Sequence, residues 1–243
     1  MQKGRVLITG GTGFVGRHVV GAFCAADWDA VPLGRKDGDL RDGGDALRLV
    51  RFYAPDVVVH LAATCGGIGA NRAQPATFFR DNILMGVNVV DACLHVGVSR
   101  LVVAGSICAY PLAPPVPFRE ESLWDGFPEP TNSAYGVAKR SLAVMLDAYR
   151  QQYGLDSCYL MPTNLYGPGD KFDLERSHVI PALIRKTLEA KERGAGHVDL
   201  WGTGEPTRDF LYVTDAADAF VLAAQARGVT GPLNLGSGRE VSI

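Results

Sequence analysis

The chain has 243 residues, 47% of them hydrophobic and 21% charged, with a formal net charge of -2. That length supports a sizeable buried core and is short for two full domains. The near balance of charge gives no reason to expect nucleic acid or an anionic membrane as the partner.

A predicted strand over Val6–Thr9 runs into Gly10-Gly11-Thr12-Gly13-Phe14-Val15-Gly16, and a helix is predicted over Phe14–Ala25. There follow a strand over Ala30–Leu33, a helix over Gly44–Tyr53, a strand over Val57–Leu61 and a helix over Ala76–His95. The next pairs are a strand over Leu101–Ala104 with a helix over Ala134–Tyr153, and a strand over Ser157–Met161 with a helix over Val179–Lys191. A strand over Val198–Trp201, a helix over Thr214–Ala226 and a strand over Leu233–Leu235 complete the series. Strands such as Val57-Val58-Val59-His60-Leu61 are apolar on both sides, as expected where helices cover both faces of a parallel sheet. The alternation predicts an α/β fold with a doubly wound parallel sheet, a Rossmann fold, whose ligands sit at the carboxyl ends of the strands. The expected division is a dinucleotide-binding domain over 1–166 and a small substrate-covering lobe over 167–243. About 207–236 of the latter is expected to return to the first domain.

The uncharged stretch from Leu101 to Phe118 is broken by Pro111, Pro114, Pro115 and Pro117, which rules it out as a spanning helix. Val6-Leu7-Ile8, bounded by Arg5 and the glycine turn, is too short for a signal core. The five cysteines, Cys24, Cys65, Cys93, Cys108 and Cys158, are scattered and lack metal-ligand spacing. They suit a reducing cytoplasm and predict no metal site.

The glycine turn has a direct physical account. Gly10 permits the tight turn, Gly13 lets a phosphate approach the backbone, and Gly16 lets the following helix pack on the sheet. The free amides at the start of that helix then face the anion. Gly11, Thr12, Phe14 and Val15 complete this candidate cofactor loop. After the second strand comes Gly34-Arg35-Lys36, where an NAD enzyme places an acid for the ribose 2′-hydroxyl. A base there can pair with a 2′-phosphate, so Arg35 favours NADP(H) over NAD(H). Further candidate cofactor contacts lie at later strand ends: Leu61, Ala62 and Ala63, then Gly105, then Pro162, Thr163, Asn164 and Leu165.

Tyr135 and Lys139 are four apart on a predicted helix and so share a face. A phenol has a reference pKa of about 10, and a neighbouring ammonium is expected to lower it toward a useful acid–base range. Ser106, after the fourth strand, is placed to hold a substrate oxygen. In the extended backbone expected there, Ser106 and Cys108 point to one side. A thiolate at Cys108 could remove a proton beside a ketone if its pKa falls below about 8.5.

The Gly-x-x-Gly-x-x-Gly spacing resembles the extended short-chain dehydrogenase/reductase superfamily. Asp39-Leu40 resembles that family's adenine-contacting pair. Longer runs are more specific: Cys65-Gly66-Gly67-Ile68-Gly69-Ala70-Asn71, Gly105-Ser106-Ile107-Cys108-Ala109-Tyr110-Pro111, Glu129-Pro130-Thr131-Asn132, Pro162-Thr163-Asn164-Leu165-Tyr166-Gly167-Pro168 and Ser177-His178-Val179-Ile180-Pro181-Ala182-Leu183. With Trp201-Gly202-Thr203-Gly204 and Arg208-Asp209-Phe210-Leu211, they resemble the GDP-L-fucose synthase family over nearly the whole chain. That family epimerises C3 and C5 of GDP-4-keto-6-deoxy-D-mannose and then reduces C4 with NADPH.

The resemblance implies that Cys108 is the epimerisation base and His178, also near the cofactor, the acid. It implies that Ser106, Tyr135 and Lys139 serve the reduction, and that Lys186, Trp201 and Arg208 hold the GDP-sugar. Ile107 and Cys108 stand where the related dehydratases carry an acidic pair, which removes a dehydratase reading. The family continues beyond the position of Glu240-Val241-Ser242-Ile243, so the lobe is expected to be C-terminally short. Two other readings stay open: an epimerase or reductase of another nucleotide-linked 4-keto sugar such as a heptose, and a catalytically silent NADP-binding homologue. The apolar stripes of Ala76–His95 and Ala134–Tyr153, paired between subunits in extended family members, predict a homodimer through a four-helix bundle.

Overall fold

The computed structural model describes residues 3–173, 177–200 and 202–243. Six parallel strands form the main sheet: β1 (Arg5–Thr9), β2 (Asp29–Leu33), β3 (Val57–His60), β4 (Arg100–Ala104), β5 (Ser157–Pro162) and β8 (Leu233–Leu235), in the order β2-β1-β3-β4-β5-β8. The chain passes from β1 outward to β2 and returns past it to β3, so the strand order reverses beside β1. The crevice at that reversal is where an open α/β sheet binds ligands.

The two-sided apolar strands are explained by helices on both faces. Leu7, Val58, Leu101 and Val103 face α2 (Gly43–Tyr53), α4 (Pro75–Val96) and α5 (Ser133–Tyr153). Val6, Ile8, Val57, Val59 and Val102 face the opposite way, against Val19 and Phe23 of α1 (Phe14–Ala25) and Phe220 of α7 (Val213–Gln225). Helix α4 starts on Pro75, whose missing N–H is no loss in a first turn, and ends on Gly97 with a left-handed φ of 78°. It lies along α5, and Leu142 of α5 fills the space where a side chain at Gly86 would be.

The later part of the chain departs from the expected rhythm. Val198–Leu200 form no strand, and Trp201 lies outside the described residues. Instead β6 (Asn164–Tyr166), β7 (Thr207–Tyr212) and β9 (Glu240–Ser242) form a second, three-stranded sheet in the order β6-β7-β9. Two short helices also went unread, α3 (Ile68–Ala73) and the 3-10 turn Glu120–Trp124, while α6 (Val179–Glu192) is placed as expected. The carboxylate of Asp209, in β7, accepts from the Ser237 and Gly238 amides and from the Ser237 and Thr163 hydroxyls. It thereby ties the small sheet to the ends of β5 and β8. No described helix is long and apolar enough to cross a membrane.

Candidate active site

The glycine turn is built as a cradle. Gly10 has a left-handed φ of 71°, and a Cβ there would press on the Ala62 amide. A Cβ at Gly16 would strike the Gly10 carbonyl, so α1 can begin this close to β1 only with glycine. Gly13 stands at the N-cap of α1, where no side chain caps the helix and no acid sits in the first turn. The turn therefore presents unfilled amides and a positive dipole end, which fits a pyrophosphate.

The neighbouring strand ends close round it. The Gly11 amide donates to the Leu33 carbonyl, and the Leu61 and Ala62 amides donate to Thr9. The Gly34 turn abuts Thr12, and the next residue, Arg35, is exposed. The Asp39 carboxylate is held by Arg41, which pulls it down to about 2, while Leu40 is buried in the core. Thr163, Asn164 and Leu165 leave β5 for the small sheet, their side chains and backbone joined to β7.

Ser106, Cys108, Tyr135 and Lys139 are brought together. The Ser106 hydroxyl lies close enough to Tyr135 and Cys108 to favour the ionised form of both, and its oxygen accepts from the Cys108 amide at 3.1 Å. That last bond explains a departure from the sequence reading. It folds residues Ile107–Ala109 into a 3-10 turn rather than extended backbone, so Cys108 arrives beside Ser106 by the turn and not by strand alternation. The Lys139 ammonium donates to the Ala104 carbonyl at 2.9 Å and lies 5.9 Å from the Tyr135 ring centroid.

The electrostatics also differ from expectation. Burial raises the Tyr135 pKa well above 10, reinforced by Cys65, Cys108 and Tyr159 and opposed by Ser106. Burial pushes Lys139 down to about 8. The Cys108 thiol is likewise pushed up by burial and by Glu129, against the opposing effects of the Ser106 hydroxyl and Arg208. Desolvation outweighs the ammonium: Lys139 is buried, and Tyr135 and Cys108 are half-buried beside it. At neutral pH the phenol and thiol therefore keep their protons, which leaves Tyr135 with a proton it could donate.

His60, at the end of β3, is buried; its Nδ1 pairs with the Thr9 hydroxyl at 2.7 Å. Burial, with the Lys139 charge nearby, lowers its pKa from 6.5 to about 3. The unfolded chain binds this proton below pH 6.5 and the folded chain does not. Stability is therefore expected to fall with pH below 6.5, by about 1.4 kcal/mol per unit at most from this group. Urea unfolding at about pH 7 and pH 5 checks it: His60→Gln should flatten the slope, and an unchanged slope would assign the effect elsewhere.

The remaining described site residues are carried at α6 and β7. His178 is exposed at the N-cap of α6, and no hydrogen bond joins it to Ser106, Cys108 or Tyr135. Lys186 donates to the Asp199 carbonyl at 3.0 Å. Arg208 is exposed on β7, close enough for its charge to act on Cys108. Cys65 and Glu129, not singled out as site residues from the sequence, also act on the cluster electrostatically. Among the described residues no group of three or more His, Cys, Asp or Glu side chains could hold a metal ion.

Residues 6–236 match the NAD dependent epimerase/dehydratase family. The chain belongs to that family. Within the epimerase/dehydratase family it is 42% identical, over 98% of its length and 76% of the relative's, to a GDP-L-fucose synthase of Sinorhizobium fredii. Among solved structures, a GDP-L-fucose synthetase of Naegleria fowleri bound to NADP superposes with a TM-score of 0.89 at 34% identity, over 100% of this chain and 80% of that one. A GDP-mannoheptose C4 reductase of Campylobacter jejuni with NADP bound gives a TM-score of 0.89 at 27% identity, over 100% and 82% of the two chains.

Proposed function

We propose that the chain is an NADP(H)-dependent 3,5-epimerase and 4-reductase of GDP-4-keto-6-deoxy-D-mannose, with GDP-L-fucose as product. The observation that carries this reading is the junction of Ser106, Cys108 and Tyr135 at one point, in a chain so similar to GDP-L-fucose synthases. The glycine turn would hold NADP(H), which when bound would supply the hydride for the reduction.

The chain's own groups divide the rest. Ser106 donates to the C4 oxygen and polarises the ketone, which acidifies the hydrogens at C3 and C5. Cys108, once deprotonated, removes the proton from one face of each carbon, and His178, on α6, returns a proton to the other face. Tyr135 gives its proton to the C4 oxygen as the ketone becomes an alcohol, and the Lys139 ammonium supports the resulting phenolate. Arg208 and Lys186, with Trp201 outside the described residues, are assigned to the GDP-sugar. In this reading 1–166 hold the cofactor and 167–243 cover the substrate, with about 207–236 returning to the cofactor domain through α7 and β8.

Incubation with NADPH and GDP-4-keto-6-deoxy-D-mannose in D2O tests it. NADPH oxidation with deuterium at C3 and C5 is expected. No oxidation by folded, cofactor-binding protein overturns the proposal, and oxidation without deuterium points instead to a C4 reductase like the heptose-sugar relative.

Arg35, exposed just after β2, is assigned to the 2′-phosphate. Arg35→Ala is expected to weaken NADPH binding by about 1–3 kcal/mol and leave NADH binding little changed. Isothermal titration with both cofactors checks this, and equal losses would remove the assignment.

The active unit is proposed to be a homodimer joined through α4 and α5. Phe79, Val144 and Tyr153 are exposed apolar residues of these helices. Light scattering should give twice the chain mass at micromolar concentration; a monomer would rule the dimer out.

A further inference from the structure

We propose that Arg140 is the positioning residue that holds the Cys108 turn against the Tyr135–Lys139 helix, and so sets the rate of proton removal from carbon separately from the reduction. The inference rests on the proposed epimerase reading for its effect on rate, but not for its structural part.

Helix α5 carries two adjacent stripes. Tyr135 and Lys139 form one; Gly136 and Arg140, also four apart, form the next. The second stripe meets the Cys108 turn directly. A Cβ at Gly136 would collide with the Cys108 carbonyl oxygen, so helix and turn touch backbone to backbone. One turn further on, the Arg140 guanidinium donates through Nε at 2.8 Å and through Nη2 to the Ala109 carbonyl, and through Nη1 at 2.7 Å to the Gly126 carbonyl.

A single planar cation thus binds the residue after Cys108 and the start of Gly126-Phe127-Pro128, which itself packs on Gly136 and pairs Pro111 with Pro128. The fork matters, because a planar guanidinium holds the two carbonyls through several donors fixed in direction, whereas an ammonium is a compact point charge on a flexible stem. Tyr159 backs the arrangement: its hydroxyl donates to the Lys139 carbonyl at 2.7 Å, and its ring fills the space beside Gly105, just before Ser106.

Arg140 touches none of the reacting groups. It fixes the turn from which the thiol projects, while Tyr135 and Lys139 are fixed by α5 and the Ala104 carbonyl. Loss of the fork should therefore misplace the thiol and leave the phenol where it is. A small misplacement suffices to slow an oriented proton transfer greatly.

The test uses Arg140→Met and Arg140→Lys with two readouts. The first needs no sugar: the rate of iodoacetamide alkylation at the Cys108 peptide, followed by mass spectrometry. In Arg140→Met it should rise severalfold as the turn loosens. The second is the ratio of deuterium exchange at C3 and C5 to NADPH oxidation. Exchange should fall about tenfold or more while NADPH affinity and hydride transfer to an already epimerised ketone stay within about twofold. Arg140→Lys should lie between Arg140→Met and wild type in both.

Unchanged alkylation and an unchanged ratio in Arg140→Met would overturn the proposal. So would an equal fall of both half-reactions, the mark of a merely structural role. If the wild-type protein shows no exchange at all, the epimerase reading falls, while the alkylation rates still decide whether Arg140 holds the turn.

Discussion

Cys108→Ser is expected to abolish deuterium incorporation at C3 and C5 while leaving NADPH affinity unchanged. The turn geometry survives the change, because it depends on the Ser106 oxygen and the Cys108 amide rather than on the thiol. What is lost is acidity. A thiol ionises at about pH 8.5 in water, whereas a serine hydroxyl stays protonated throughout the working range. The cradle of Gly10, Gly13 and Gly16 is at the end of another strand, so cofactor binding has no reason to respond. Proton NMR of the sugar in D2O and a fluorescence titration with NADPH read the two halves. Full exchange in Cys108→Ser would make the cysteine structural and the protein a simple 4-keto reductase.

Tyr135→Phe should give the converse result: exchange continues and hydride transfer slows by about a hundredfold or more. Burial keeps the phenol protonated, so it is a proton source for the C4 oxygen, and phenylalanine has none to give. Ser106 still holds the ketone, so C3 and C5 stay acidic. In the wild-type protein the reduction rate should decline as pH rises through about 8, where Lys139 loses its proton and with it the support for the phenolate. Single-turnover mixing with NADPH across that range checks both statements. Equal losses of exchange and reduction in Tyr135→Phe would show that the two steps share one acid.

The first half of the fold was legible because its signals are local. Val6–Thr9 with its glycine turn, and the long periodic helices α4 and α5, are set by residues adjacent in sequence. The small sheet was not legible. Thr207–Tyr212 is largely surface strand that pairs with segments about forty-five residues before and thirty after it, whereas the apolar residues of Val198–Leu200 form no strand.

At the site, the structure brings Tyr135, Lys139, Ser106 and Cys108 together, but the proton affinities of Tyr135 and Cys108 moved the other way, because desolvation depends on depth and not on neighbours in the chain. Arg140 was missed although its signal was present. It stands four residues after Gly136, and a glycine on the inward side of a helix marks a close approach that something beside it must hold.

One face of the main sheet is covered by α1 and α7, and the buried Arg100 of β4 donates to the Ala223 carbonyl of α7. Helix α7 is made about 110 residues after β4 and about 155 after β3, two of the strands it covers. Until Val213–Gln225 leave the exit tunnel, Val57, Val59 and Val102 have only part of their shelter. The nascent chain must spend much of its synthesis with an oily half-face in water, and a stop just before α7 would yield a polypeptide prone to stick to its own kind.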